Sequence, residues 1–177
     1  LNSNKMIIKW FDAIYYGEYI TNEKGESIPD GNGIYISKYN DIYAGGFKDG
    51  KRHGKGILNY YHRNDDELIN RYVGEYLNDE KNGYGELTYK NGHQYRGEWL
   101  NNMKHGKGTL IWKNGNKYTG EWIKDKKHGN GCYTQNDGLK YDGKWINDIP
   151  VSQVGWTQNG MPVGPEPQIF RNPKTIM

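Results

Sequence analysis

One sentence, repeated, constrains this chain more than any other feature: Tyr95-Arg96-Gly97-Glu98-Trp99, a polar turn, then His105-Gly106-Lys107-Gly108 and an apolar run. The same opening recurs at positions 72, 95, 118 and 141, a period of 23 residues without drift. A strict period of this length means stacked copies of one supersecondary unit, each buried against the next. The functional question therefore concerns what lies along the surface of an array.

Further copies flank the regular block. Tyr43-Ala44-Gly45-Gly46-Phe47 with His53-Gly54-Lys55-Gly56 precedes Tyr72-Val73-Gly74-Glu75-Tyr76 with Asn82-Gly83-Tyr84-Gly85. The step from Tyr43 to Tyr72 is 29, and its six extra residues fall in the polar stretch 61–67, read as a lengthened hairpin loop. Tyr15-Tyr16-Gly17-Glu18-Tyr19 and Gly31-Asn32-Gly33 form a stretched first unit. Tyr141-Asp142-Gly143-Lys144-Trp145 opens a last unit that loses its His-Gly motif to Ile149-Pro150, as a cap would. The expected organisation is an N-terminal extension over 1–14, an array of about six units over 15–154, and an extended Pro-containing tail over 155–177.

Each unit reads as strand, turn, strand. Period two puts Tyr95, Gly97 and Trp99 on one face, with Arg96 and Glu98 on the other. Gly97 leaves a slot between two rings in which a neighbouring ring can lie. Thr109-Leu110-Ile111-Trp112 is β-branched and aromatic, and Asn114-Gly115 is a hairpin turn signal. Aliphatic residues are sparse, while Gly numbers 25 and Tyr 16, so aromatic rings must supply the buried area. Residues 5–13 fit either a strand or a short helix.

The string Tyr-x-Gly-x-Trp followed by His-Gly-x-Gly at this period resembles the MORN-repeat family, clearly over 43–145 and less well over 15–35. The resemblance implies an all-β fold: an elongated, twisted, single-layer antiparallel sheet of stacked β-hairpins. It also implies a targeting or scaffolding part, with catalysis elsewhere. Members include radial-spoke and cytoskeletal scaffolds and small adaptors, and similar repeats stand beside some catalytic domains.

The remaining features narrow the function. A net charge of +3 neither demands nor excludes an anionic partner, and it is too balanced for strong nucleic-acid binding. A single cysteine, Cys132, favours a reducing compartment. The recurring His53, His105 and His128 lack a second ligand at metal spacing, so neither a metal nor a cofactor is expected. Equal repeat placement of Glu75, Glu98 and Glu121 argues against an acid/base pair, which needs unlike groups converging on one point. The chain is read as no enzyme.

Two surfaces remain. The aromatic row Phe47, Tyr76, Trp99, Trp122 and Trp145 is expected to pack the repeats and to leave some ring area for a helical or extended partner segment. Glu75, Glu98 and Glu121 would offer polar contacts on the opposite face. The leading expectation is a scaffold or adaptor in a cytoskeletal, ciliary or membrane-associated assembly, in the cytoplasm. The alternative is a peripheral membrane module that meets anionic phospholipids through Lys51, Arg52, Lys104, Lys126 and Lys127. A third is a targeting fragment of a larger enzyme. A homo-oligomer through a sheet edge or the terminal repeats is a further expectation.

Overall fold

The computed structural model describes residues 5–10, 12–61, 67–151 and 157–162. The described residues are all-β and contain no helix. Strands follow one another in chain order in an open antiparallel sheet, except that β13 pairs with β12 and β14 follows β12. The chain divides into two compact units, Leu1–Gly92 with Trp99–Asn102, and His93–Glu98 with Met103–Met177.

The first unit holds β1 (Lys5–Trp10), β2 (Ala13–Thr21), β3 (Ser27–Ile36), β4 (Ile42–Lys48), β5 (Lys51–Tyr61), β6 (Leu68–Leu77) and β7 (Glu80–Tyr89). Residues 5–10 thus resolve as a strand, paired with β2 from Lys5↔Glu18 to Trp10↔Ala13. The long loop expected over 61–67 lies mostly outside the described residues. β8 (Gln94–Leu100) supplies its first part to the second unit and its end to the first.

The second unit continues with β9 (Met103–Ile111), β10 (Lys117–Ile123), β11 (Lys126–Thr134), β12 (Lys140–Ile146) and β13 (Ile149–Pro150). Within the stretch read as a tail, β14 (Thr157–Gln158) pairs with β15 (Met161–Pro162) and meets β12 at Lys140↔Thr157. The rest of that stretch lies outside the described residues.

Turn chemistry explains the hairpins. Asn101-Asn102, Lys124-Asp125 and Asn147-Asp148 each place two consecutive residues at positive φ, as a two-residue type I′ hairpin requires. Asn114-Gly115 is different: only Gly115 has positive φ, and Trp112 closes a wider loop with Asn116 at 2.9 Å. The Asn-Gly pair is therefore the end of a type I turn, and the tighter turns fall at the Asn and Asp pairs.

The two glycines of His-Gly-x-Gly serve different ends. Gly129 sits at φ 57 inside a bulge, where the register slips between Gly120 and Glu121. Gly131 instead faces Gly120 across the ladder, and a Cβ on it would strike the ring of Tyr118. The slot inferred at Gly97 is filled likewise, by the unit's own tyrosine folding over the Gly97–Gly108 pair.

Candidate binding site on the aromatic side

Each opening tyrosine is a buried strut. Tyr15, Tyr43, Tyr72, Tyr95 and Tyr118 have no exposed area. Each donates its hydroxyl to the backbone carbonyl three residues on: Tyr15 to Glu18 at 2.6 Å, Tyr72 to Glu75 at 3.1 Å, Tyr118 to Glu121 at 3.0 Å. Burial pushes the phenols of Tyr15 and Tyr43 up to about 12, with nearby Glu18 adding to the first and Arg52 opposing the second.

The row read as partner-binding packs between these struts. Tyr118 meets Trp122 edge-on at 5.2 Å and Trp145 at 5.2 Å, and Tyr72 meets Tyr76 at 5.3 Å and Trp99 at 5.5 Å. Such T-shaped pairs satisfy the ring quadrupoles while closing the gap between repeats. Phe47, Tyr76, Trp99, Trp122 and Trp145 are all buried, at 1–7% exposure. Ring area that a period-two reading leaves open is thus consumed by packing against neighbouring tyrosines.

A feature not found by sequence reasoning covers these rings. Nine residues after Tyr43, Tyr72, Tyr95 and Tyr118 stands a cation: Arg52, Lys81, Lys104 and Lys127. Its strand position directly opposes the aromatic of its own unit, as in Phe47↔Arg52 and Trp122↔Lys127. Arg52 lies over Tyr43 and Tyr76, Lys104 over Tyr95 and Trp122, and Lys127 over Trp145 at 4.8 Å. An acid of the following turn holds three of them: Arg52 Nε to Asp79 at 3.0 Å, Lys104 to Asp125 at 3.8 Å, Lys127 to Asp148 at 4.0 Å. After Lys81 the turn offers Asn102, whose side-chain oxygen accepts the Lys81 amide at 2.9 Å. Burial lowers the Lys127 pKa, against the pull of Asp148. The signal was present in the sequence as a nine-residue offset.

This divides the basic residues. Lys51 and Lys126 are exposed, whereas Arg52, Lys104 and Lys127 are held over rings and paired with carboxylates. Three of the five cations considered for phospholipid are engaged within the protein.

The recurring glutamates brace the bulged turn from the side away from the rings. Glu98 accepts the Lys107 amide at 2.9 Å, Glu121 the Asn130 amide at 3.1 Å, and Glu75 the Tyr84 amide at 3.4 Å. Beside this turn the Nδ1 atoms of His53 and His128 are buried without a partner. Among the described residues no His, Cys, Asp and Glu cluster could hold a metal ion. Cys132 is half-buried, with Thr134 Oγ1 3.7 Å from its thiol.

Where the aromatic row departs from tryptophan, a cavity opens. It lies in the first unit, with a volume of about 470 Å³. Tyr35, Tyr43, Phe47, Leu58 and Tyr60 form its apolar wall, and Asp41, Arg52 and Asp79 its polar one. Phe47, which lacks the second ring that Trp122 and Trp145 carry at this position of their repeats, lies on its wall. Tyr76, also in a tryptophan position, has a buried hydroxyl without a hydrogen-bond partner. Its phenol is pushed strongly upward, first by burial and then by Tyr60.

The MORN-repeat family model matches residues 43–61, 72–94, 95–117 and 118–140. The chain belongs to the MORN-repeat family. The structure carries the MORN pattern beyond the matched segments, since Tyr15 and Tyr141 make the same hydroxyl-to-carbonyl bond and Trp145 closes the last repeat. MORN repeats are non-catalytic binding modules, and the recurrent residues of this one have structural roles. The chain is similar to the TCP domain of SAS-4 (dCPAP) of Drosophila melanogaster, solved in complex with a proline-rich motif of Ana2 (dSTIL). The two share 14% identity and a TM-score of 0.40, over 79% of this chain and 77% of that one. No curated protein matches the chain.

Proposed function

We propose that this MORN-repeat protein is a non-catalytic scaffold or adaptor that holds a helical or extended segment of a partner protein. The segment lies on the aromatic side of the first unit. One observation carries the reading: the 470 Å³ cavity beside Phe47, on a side whose other rings are closed by packing and by cations. A cavity with an apolar wall and a few fixed polar groups is the usual form of a binding site. Its aromatic lining suits an anchor side chain, and Asp41, Arg52 and Asp79 supply orientation. On the family resemblance, the assembly it serves is cytoskeletal, ciliary or membrane-associated, in the cytoplasm.

The test fills the cavity. Peptides selected on the wild-type chain from a random library should lose binding to Phe47→Trp, which restores the indole of the other repeats. The far-UV spectrum and thermal midpoint of that variant should be retained. Selected peptides that bind Phe47→Trp as tightly as the wild type would refute the site.

A further inference from the structure

The reverse side of the first unit, away from the tyrosine struts, carries two apolar rows in register. One runs across six strands as Ile7–Tyr16–Ile34–Ala44–Ile57–Val73. The other runs as Ile14–Ile36–Ile42. Ile7, Tyr16, Ile14 and Ile34 are 42–62% exposed. An apolar sheet face of this extent calls for a covering layer.

Strand propensity does not explain these residues. The corresponding row in the second unit reads Thr109–Thr119–Cys132–Asp142, and the next Ile111–Lys117–Thr134–Lys140. Threonine supplies the β-branched shape there without the apolar surface. The tyrosine side is alike in both units, so the difference lies in what the reverse side meets.

The flanking charges point to the occupant. Along the neighbouring row stand Lys5, Glu18, Asn32, Gly46, Lys55 and Glu75, one on each strand from β1 to β6. Read backwards against itself, this row sets Lys5 opposite Glu75, Glu18 opposite Lys55, and Asn32 opposite Gly46. The apolar row read backwards sets Tyr16 opposite Ile57 and the bulky Ile34 opposite the small Ala44. These two rows are therefore complementary to themselves under a two-fold rotation about an axis along the strands between β3 and β4.

We propose that this face is the contact surface of a homodimer, in which two first units pack sheet on sheet. Aligned sheets about 10 Å apart interdigitate side chains of this kind, and a two-fold contact uses the same patch on both copies. In the second row, which continues from Ile42 to Asn59 and Arg71, Ile36 falls opposite Ile42 but two pairs are mismatched: Ile14 opposite Asn59, and Lys9 opposite Arg71 at the outer corner. The contact is independent of the cavity beside Phe47, on the other side of the sheet.

Sedimentation velocity on the full chain tests it at low ionic strength, where rim charges act most strongly. The wild type should sediment as a reversible dimer. The triple variant Tyr16→Thr, Ile34→Thr, Ile57→Thr, which copies the residue type of the second unit, should be a folded monomer. Arg71→Glu replaces the mismatched corner with an attraction to Lys9 of the other copy, twice per dimer. It should tighten the dimer about threefold or more. A wild type that stays monomeric at its highest soluble concentration overturns the proposal. So does a folded triple variant that remains dimeric. Should the triple variant fail to fold, Arg71→Glu decides alone, and an unchanged or weaker dimer refutes the two-fold arrangement.

Discussion

The indole N–H of Trp145 donates to the backbone carbonyl of Gly131, 3.0 Å away and fourteen residues upstream. Trp122 to Gly108 and Trp99 to Gly85 repeat the bond at 3.2 Å each. A glycine that lets a tyrosine lie flat in one repeat thus also offers its carbonyl to the tryptophan of the next. Through that bond, burying a ring and joining two units are the same event.

Removing the ring should therefore cost more than its area alone. Trp122→Ala is expected to destabilise the chain by about 3–5 kcal/mol through transfer and cavity terms. Trp122→Phe leaves the Gly108 carbonyl without its donor and should cost less, on the order of 1–3 kcal/mol. Urea denaturation followed by tyrosine and tryptophan fluorescence ranks the two.

Glycines that look alike in the sequence should respond differently to alanine. Gly108→Ala drives a methyl into the Tyr95 ring and should unfold or strongly destabilise the chain. Gly138→Ala meets no atom within 4 Å and carries only the cost of φ 90, about 1–2 kcal/mol. Thermal midpoints of the two variants measure the gap.

Alkaline pH should unfold the protein through its tyrosines. Burial raises the phenols of Tyr15 and Tyr43 from 10.0 to about 12 and raises those of Tyr60, Tyr72, Tyr76, Tyr118 and Tyr133 as well. Between pH 10 and about 12 the unfolded chain has released protons that the native state still holds. Stability that is complete below pH 10 is then lost as pH rises toward the folded values. Absorbance at the phenolate band should rise with the loss of the far-UV β signal, and a full phenolate titration of an intact fold would contradict the burial argument.

Neighbouring lysines should separate into two classes. Lys104→Ala removes a cation from over Tyr95 and Trp122 and should cost about 0.5–2 kcal/mol. Lys126→Ala, at an exposed position, should change stability by less than about 0.5 kcal/mol. Chemical denaturation of both variants in parallel distinguishes them, and equal effects would mean that the ring contacts add nothing.

Much of this molecule was legible in one repeat of its sequence. Period two assigned Tyr95, Gly97 and Trp99 to one side and Glu98 to the other, and the 23-residue step required stacked hairpins. Other properties depend on cross-strand neighbours that no local pattern contains. The register Phe47↔Arg52 carries a basic turn residue over the rings. Edge-on packing against tyrosines of two repeats, as of Trp122 against Tyr95 and Tyr118, closed the aromatic row. The bulge at Gly120 brought Glu121 to an amide of its own turn.

By itself, then, the sequence determined the repeat, the strand-turn-strand unit and the side each residue faces, because these follow from local backbone geometry and spacing. Only the tertiary structure decided which surfaces remain open. The cavity beside Phe47 is formed by residues of β3, β4 and β5 that lie far apart in the sequence. The isoleucines of β2, β3 and β5 became a continuous face because the ladder set them side by side. Exposure is a property of neighbours, and in a stacked array the neighbours belong to other repeats.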